Sequence, residues 1–394
     1  MLSFDEALER LLTGVTPAGA TEELPTTAAL GRVLAQDVVS PLNVPPEDNS
    51  AMDGYALRAA DAGMLLPISQ RIAAGTVGHE LAPGTAARIF TGAQVPPGAD
   101  AVMMQEACTV EGDAVRVAEP VKAGQHIRRQ GEDVRHGSTV LAAGHKLDAA
   151  ALGMAAAVGA ARLRVARRPR VALFSTGDEL VMPGQPLRPG AIYNSNRFML
   201  QALLQGLGCE VVDLGIVPDQ LEATRAALRE AASRADLIVT SGGVSVGEED
   251  HLRPAVQAEG SLDLWQIALK PGKPLAFGRV QNAYFIGLPG NPVSSFVTFL
   301  MLVRPAILRL QGGTELTPRR YAMRADFAWG KADKRREFLR ARLNASGGLD
   351  LFKNQGSGVL TSAVWGDGLI DNPPGQVIAP GDVVQFMPFS ELLA

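Results

Sequence analysis

Cysteine is scarce in this 394-residue chain: Cys108 and Cys209 are the only two. They allow one disulfide at most and exclude a cysteine-ligated metal cluster. The five histidines (His79, His126, His136, His145 and His251) form no HExxH or other ligand pair, so a structural zinc site is not expected, and no Ser/His/Asp triad follows from spacing. A basic excess is lacking too. Lys and Arg total 37 against 41 Asp and Glu, a net charge of -4, which argues against a nucleic-acid backbone as ligand. The longest apolar run, Phe296 to Val303, stops at Arg304 and Pro305, short of the roughly 18 residues of a membrane span. The N-terminal MLSFDEALER carries acids where a signal peptide carries bases. The expectation is a cytoplasmic protein that engages neither membrane nor nucleic acid. An apolar fraction of 46% with 20% charged residues excludes wholesale disorder.

What is present organises into several units, since this length divided by about 150 residues per domain suggests two to four. Ser3 and Glu6 make a capping box before Phe4, Ala7, Leu8, Leu11 and Leu12 at helical spacing, so a helix is predicted over 3–13. A second helix is expected around Ala28 to Leu34, followed by a stiff passage at Pro41, Pro45 and Pro46. Short apolar runs between turn signals then predict a β-rich unit over 45–137, with a hairpin about the EGD turn at 111–113. Asp148 caps an Ala-rich helix over 148–158, so that unit reads as an insertion between 1–44 and 138–168. The arginine-rich ARLRVARRPR reads as a solvated linker and strand entry. From 169 to 318 strands alternate with helices: VALFS, Arg197 to Gln205, Glu210 to Ile216, Leu221 to Ala232, Asp236 to Thr240, AYFIGL, Pro292 to Leu310. That alternation predicts a doubly wound βαβ domain with a mostly parallel sheet, whose ligands bind beyond the carboxyl ends of the strands. Residues 319–394 return to short strands and read as a C-terminal β domain. The fold class is therefore multidomain α/β plus β.

The strand ends of the βαβ region carry loops of small and polar residues: TGDE (176–179), VPD (217–219), TSGGVSVGEED (240–250) and LPGNP (288–292). Ser241, Gly242 and Gly243, and Asn291 as N-cap with Pro292 at the first helical position, expose backbone N–H groups at helix starts, which implies a phosphorylated ligand. GxGxxG and GxxxxGK[ST] are both missing, so dinucleotide and P-loop readings lack their fingerprints. Glu179, Asp219, Glu248, Glu249 and Asp250 share these loops, and carboxylates around a phosphate call for a hard divalent cation, with Glu179 and Asp250 as candidate Mg²⁺ ligands. LKPGKP (269–274) presents Lys270 and Lys273 on a stiff turn suited to an oxyanion, or to an ordinary surface turn. Asp53, Thr91 and Asp133 stand beside glycines, where turn formation is the commoner role.

The ordered set SAMDGYA, IFTGA with PPGADAVMMQE, RRQGEDV, STGDEL, YNSN, TSGGVSVGEED, LKPGKP and GLPGNPVS resembles the molybdopterin molybdenumtransferase family, related to the gephyrin E domain. The resemblance implies an elongated homodimer of four-domain subunits, with an active site shared between the βαβ domain of one subunit and the β domains of the other. It implies adenylylated molybdopterin and molybdate as substrates, Mg²⁺ as cofactor, AMP release, and contact with a molybdopterin adenylyltransferase as a further partner. Carried over by position, it marks Asp53, Thr91, Asp133, Glu179, Asp219, Asp250, Lys270, Pro289 and Pro292 as functional, and Arg340 and Ser357 as the molybdate pair. Gln266 stands where some relatives carry a lysine, which leaves Lys273 to supply that charge. The competing readings are an adenylyltransferase, which a lone βαβ domain performs, and a gephyrin-like scaffold without catalysis.

Overall fold

The computed structural model describes residues 1–117, 120–243 and 251–393. Its first helix, Phe4–Gly14, starts at the capping box: the Glu6 N–H donates to Ser3 Oγ (3.2 Å) and the Ser3 N–H to Glu6 Oε2 (2.8 Å). Phe4, Ala7 and Leu11 bury one face in the core that contains Val171, Leu173, Leu237 and Val239. The helix expected over 28–34 does not form. Only a 3₁₀ turn, Thr26–Ala28, is present, because Gly31 takes a left-handed φ of +73°. Beyond it, Val33 bridges Lys146 and Leu34 bridges Val165. Strand Thr21–Pro25 pairs antiparallel with Arg162–Ala166, so the stretches on either side of the intervening β unit meet. Helix Ala149–Ala157 is capped by Asp148, which accepts from the Ala151 N–H.

The intervening unit is a six-stranded sheet in the order Ala101–Met104, Gly54–Leu57, Ala86–Ile89, Leu65–Ile72, Ala114–Val117, Cys108–Glu111. The hairpin about Gly112 is Cys108–Glu111 with Ala114–Val117; Ala101–Met104, set off by a 3₁₀ turn at Gln105–Ala107, pairs instead with Gly54–Leu57.

The α/β sheet also has six strands, in the order Glu210–Val217, Arg170–Thr176, Leu237–Ser241, Ala283–Leu288, Pro274–Val280, Gly260–Gln266. The first four run parallel and the last two antiparallel. Alternation along Arg170–Thr176 builds both faces: Val171 and Leu173 pack with Leu200, Leu204 and Val297, whereas Ala172 and Phe174 pack with Leu228, Ala231 and Val256. Helix Pro292–Leu310 carries a π-helical turn at Phe299–Val303. It is long and apolar enough to cross a membrane by length and composition, but 94% of its apolar window lies buried inside the protein, where it forms the core of one face. The C-terminal sheet runs Leu269–Lys270, Arg336–Leu343, Gly368–Asn372, Val383–Pro388, Tyr321–Arg324. Its edge strand thus comes from the α/β region, and that pairing brings Lys270 against Glu337.

Candidate functional site

Four parallel strands end on one edge, and their following loops open into a cleft of about 950 Å³. Its wall on the α/β side contains Thr176 to Glu179, Asn194 to Asn196, Asp219, Ser241 to Gly243, Lys270 to Pro274 and Pro289 to Pro292; Arg335 and Gln355 to Ser357 close it from the C-terminal side. Gly242 (φ +91°) carries the tight turn after its strand, where a Cβ would lie 2.9 Å from the Thr176 carbonyl oxygen. Gly272 (φ +117°) lets the lysine turn pass Thr298, whose hydroxyl a side chain would strike. The loop before the long helix is fixed from three directions. The Ser295 hydroxyl donates to the Pro289 carbonyl, Asn196 Nδ2 to the Gly290 carbonyl (2.7 Å), and the Val293 N–H to the Ser357 carbonyl (2.9 Å). Asn291 occupies the N-cap position but makes no side-chain capping bond; Pro292 is at the first turn.

Lys270 is the best-anchored charge in the cleft. Its ammonium donates to Glu337 Oε1 (2.8 Å) and meets Asp333 Oδ2 at 3.1 Å, and it lies 5.9 Å from the centre of the Trp329 ring. Burial pulls its pKa down, and the two carboxylates more than offset that, so the net shift is upward. The Asp333 carboxyl is held well below its ordinary range, first by hydrogen bonds from Arg335 and then by Lys270, against the opposing effect of burial. Lys273 is exposed and has no ion-pair partner among the described residues.

Of the residues marked from sequence, Glu179, Asp219, Ser241, Gly242, Gly243, Lys270, Lys273, Pro289, Pro292 and Ser357 line this one cleft. Asp250, with Glu248 and Glu249, lies outside the described residues. Asp53, Thr91 and Asp133 do not reach the cleft wall. Asp53 Oδ1 accepts from the Thr91 N–H (2.7 Å) and hydroxyl (2.8 Å) on an exposed face of the inserted sheet, and these two bonds hold its carboxyl below the usual pKa. Asp133 is exposed, its N–H bonded to the Val44 carbonyl. Arg340, marked with Ser357 as the molybdate pair, is fully buried and absent from the lining, whereas Ser357 is part of it. Its guanidinium donates to Ser362 Oγ and the carbonyls of Phe338 and Gly356, while its backbone exchanges hydrogen bonds with the Gln355 amide. Burial lowers its pKa to about 10, so it remains charged and braces the loop that carries Ser357.

Sequence reasoning missed Asn194, Asn196, Asp333, Arg335 and Glu337 as contributors. The charged run KADKRREF was the available signal, but only pairing of Leu269–Lys270 with Arg336–Leu343 turns it toward Lys270. Among the described residues no three His, Cys, Asp or Glu side chains gather as a metal cage.

Residues 2–159 match the family model described as MoeA N-terminal region (domain I and II), residues 172–309 a probable molybdopterin binding domain, and residues 322–389 MoeA C-terminal region (domain IV). A molybdopterin molybdenumtransferase of Haemophilus influenzae is 42% identical over 100% of both chains. Molybdopterin molybdenumtransferase 2 of Mycobacterium tuberculosis is 43% identical over 73% of this chain and 75% of that protein. The crystal structure of a molybdopterin biosynthesis moeA protein from Pyrococcus horikoshii OT3 superposes with a TM-score of 0.85 at 29% identity, covering 98% of this chain and 100% of that one. With end-to-end similarity and three family models matched in order, this chain belongs to the molybdopterin molybdenumtransferase family.

Proposed function

We propose that this protein takes adenylylated molybdopterin and molybdate, cleaves the phosphoanhydride with Mg²⁺, releases AMP and leaves molybdenum on the pterin dithiolene. The observation that carries this reading is one cleft where backbone-rich loops, two lysines, a serine hydroxyl and two carboxylates meet. The Ser241–Gly243 turn and the start of the helix at Pro292 present N–H groups to phosphate oxygens. Lys273 and the free donor of Lys270 face an oxyanion, with Ser357 as an additional hydroxyl from the opposite wall. Molybdate is a tetrahedral dianion and needs donors of this kind; Arg340 acts on it through the Ser357 loop.

Glu179 and Asp219 fit Mg²⁺ in its usual manner of binding, one or two carboxylates completed by phosphate oxygens and water, and Asp250 is assigned there with them. When bound, the cation neutralises charge on the phosphates. The protein's own groups orient the anhydride and exclude solvent from it. Asp53, Thr91 and Asp133 enter the same reaction across a homodimer interface, which accounts for a hydrogen-bonded Asp–Thr pair on an exposed face.

The test is incubation of purified protein with adenylylated molybdopterin, Mg²⁺ and molybdate, following AMP. Release that requires all three components is expected; no release, or release indifferent to molybdate, would refute the reading.

A further inference from the structure

Glu337 is a buried carboxylate with both oxygens engaged: its side chain is 1% exposed, Oε1 takes the Lys270 ammonium at 2.8 Å, and Oε2 takes Trp329 Nε1 at 2.8 Å and Asn372 Nδ2 at 3.2 Å. An ammonium has three N–H donors. Among the described residues Glu337 and Asp333 claim two of those on Lys270, which leaves one for the cleft. Lys270, Arg335, Asp333 and Glu337 together carry no net charge, two cations against two anions. Lys270 is thus presented as an aimed donor within a neutral cluster, with Lys273 nearby and without an ion-pair partner among the described residues.

We propose that Glu337 is a positioning residue of the transfer reaction. It holds Lys270 back on the C-terminal sheet and aims its one free donor, and Trp329 and Asn372 keep its carboxylate in place. This rests on the functional reading above, because it takes an oxyanion in the cleft as the thing Lys270 is aimed at. In Glu337→Gln the amide must turn its oxygen toward the two buried donors, Trp329 and Asn372, to keep them satisfied. Its NH₂ then confronts the Lys270 ammonium, which moves into the cleft, and the cluster gains one positive charge. Two effects of opposite sign follow. Molybdate binds more tightly, and turnover falls because Lys270 is no longer aimed.

Three measurements on the full-length protein test this. Reductively methylated Lys270, followed by ¹³C NMR across pH, should titrate at lower pH in E337Q than in wild type. Titration with molybdate alone should show affinity about tenfold tighter in E337Q, while AMP release at saturation falls about tenfold. Should E337Q fail to fold, Glu337→Asp takes its place: the charge stays but falls one methylene short, so Lys270 titrates below its wild-type value and turnover drops without tighter molybdate. An unchanged Lys270 titration in the Gln variant, or affinity and turnover that fall together, would overturn the proposal. Failure of the wild type to bind molybdate or release AMP would overturn the functional reading, and with it the aim assigned to Lys270.

Discussion

The α/β region and the inserted sheet carry the same kind of sequence signal, acids and hydroxyls beside glycine in turns, and the fold treats them differently. The four parallel strands of the α/β sheet all end on one edge, so Glu179, Asp219, Ser241 to Gly243 and Pro289 to Pro292 converge on one cleft. The inserted sheet is mostly antiparallel, and successive turns leave by opposite edges. There the Asp53 and Thr91 side chains bond to each other, away from the cleft. Parallel pairing gathers the loop chemistry on one edge here, and the mostly antiparallel inserted sheet does not.

The strongest way to break this contrast is subunit mixing. Lys270→Ala should lower turnover on the order of a hundredfold, about 2.7 kcal/mol of transition-state stabilisation. If Asp53 works in a partner's cleft, Asp53→Ala should be crippled too, and random exchange of the two variants should restore about one quarter of wild-type AMP release. That quarter arises because half the dimers are mixed and each has one intact site of two. A fully active Asp53→Ala, or no recovery despite verified exchange, would show the inserted sheet to be scaffold only.

Arg340 and Ser357 sharpen the comparison inside the C-terminal sheet. Removing the buried Arg340 guanidinium takes a donor from the Phe338 and Gly356 carbonyls and from the Ser362 hydroxyl, which keeps its bond to the Val359 carbonyl, so Arg340→Ala should cost about 2 kcal/mol in denaturant unfolding. Ser357→Ala should leave stability within about 0.5 kcal/mol and raise the molybdate requirement instead. Equal stability loss in both would contradict the division between bracing and lining.

Glu179→Ala should reduce AMP release at least tenfold, near 1.4 kcal/mol, with partial recovery at raised Mg²⁺. Recovery without added cation would remove Glu179 from metal binding. The smallest effect concerns the thiols. Burial pushes Cys108 to about 11 and Cys209 to about 12, so at pH 8 less than about one molecule in a hundred carries a thiolate at either site. Iodoacetamide at that pH should label neither in the folded protein and both after unfolding, as mass spectrometry would record.

Much of the α/β region was legible because buried strands and amphipathic helices leave opposite periodicities in sequence. VALFS and AYFIGL read directly as strands there, and outside that region so did the Asp148 cap. The expected helix at 28–34 failed because its apolar spacing was outweighed by Gly31 in a left-handed conformation and by bridges to residues more than a hundred positions away. Glu337 was illegible for a related reason. In sequence it is one acid in a charged run, and its burial under Lys270, Trp329 and Asn372 exists only once four separate segments meet.

The sequence alone determined the four parallel strands of the α/β region and three of its helices, the small and polar makeup of the loops that follow those strands, and the family, because these depend on local periodicity and on residue identity in order along the chain. Tertiary structure decided which charges are free and which are spent. Lys270 and Lys273 stand three residues apart in one turn, yet one is tied to two carboxylates and the other is unpaired among the described residues. Arg340 reads as a ligand for an anion and is folded into the wall behind it. Long-range pairing sets these outcomes, since a charge is defined by what surrounds it, and its surroundings come from distant parts of the chain.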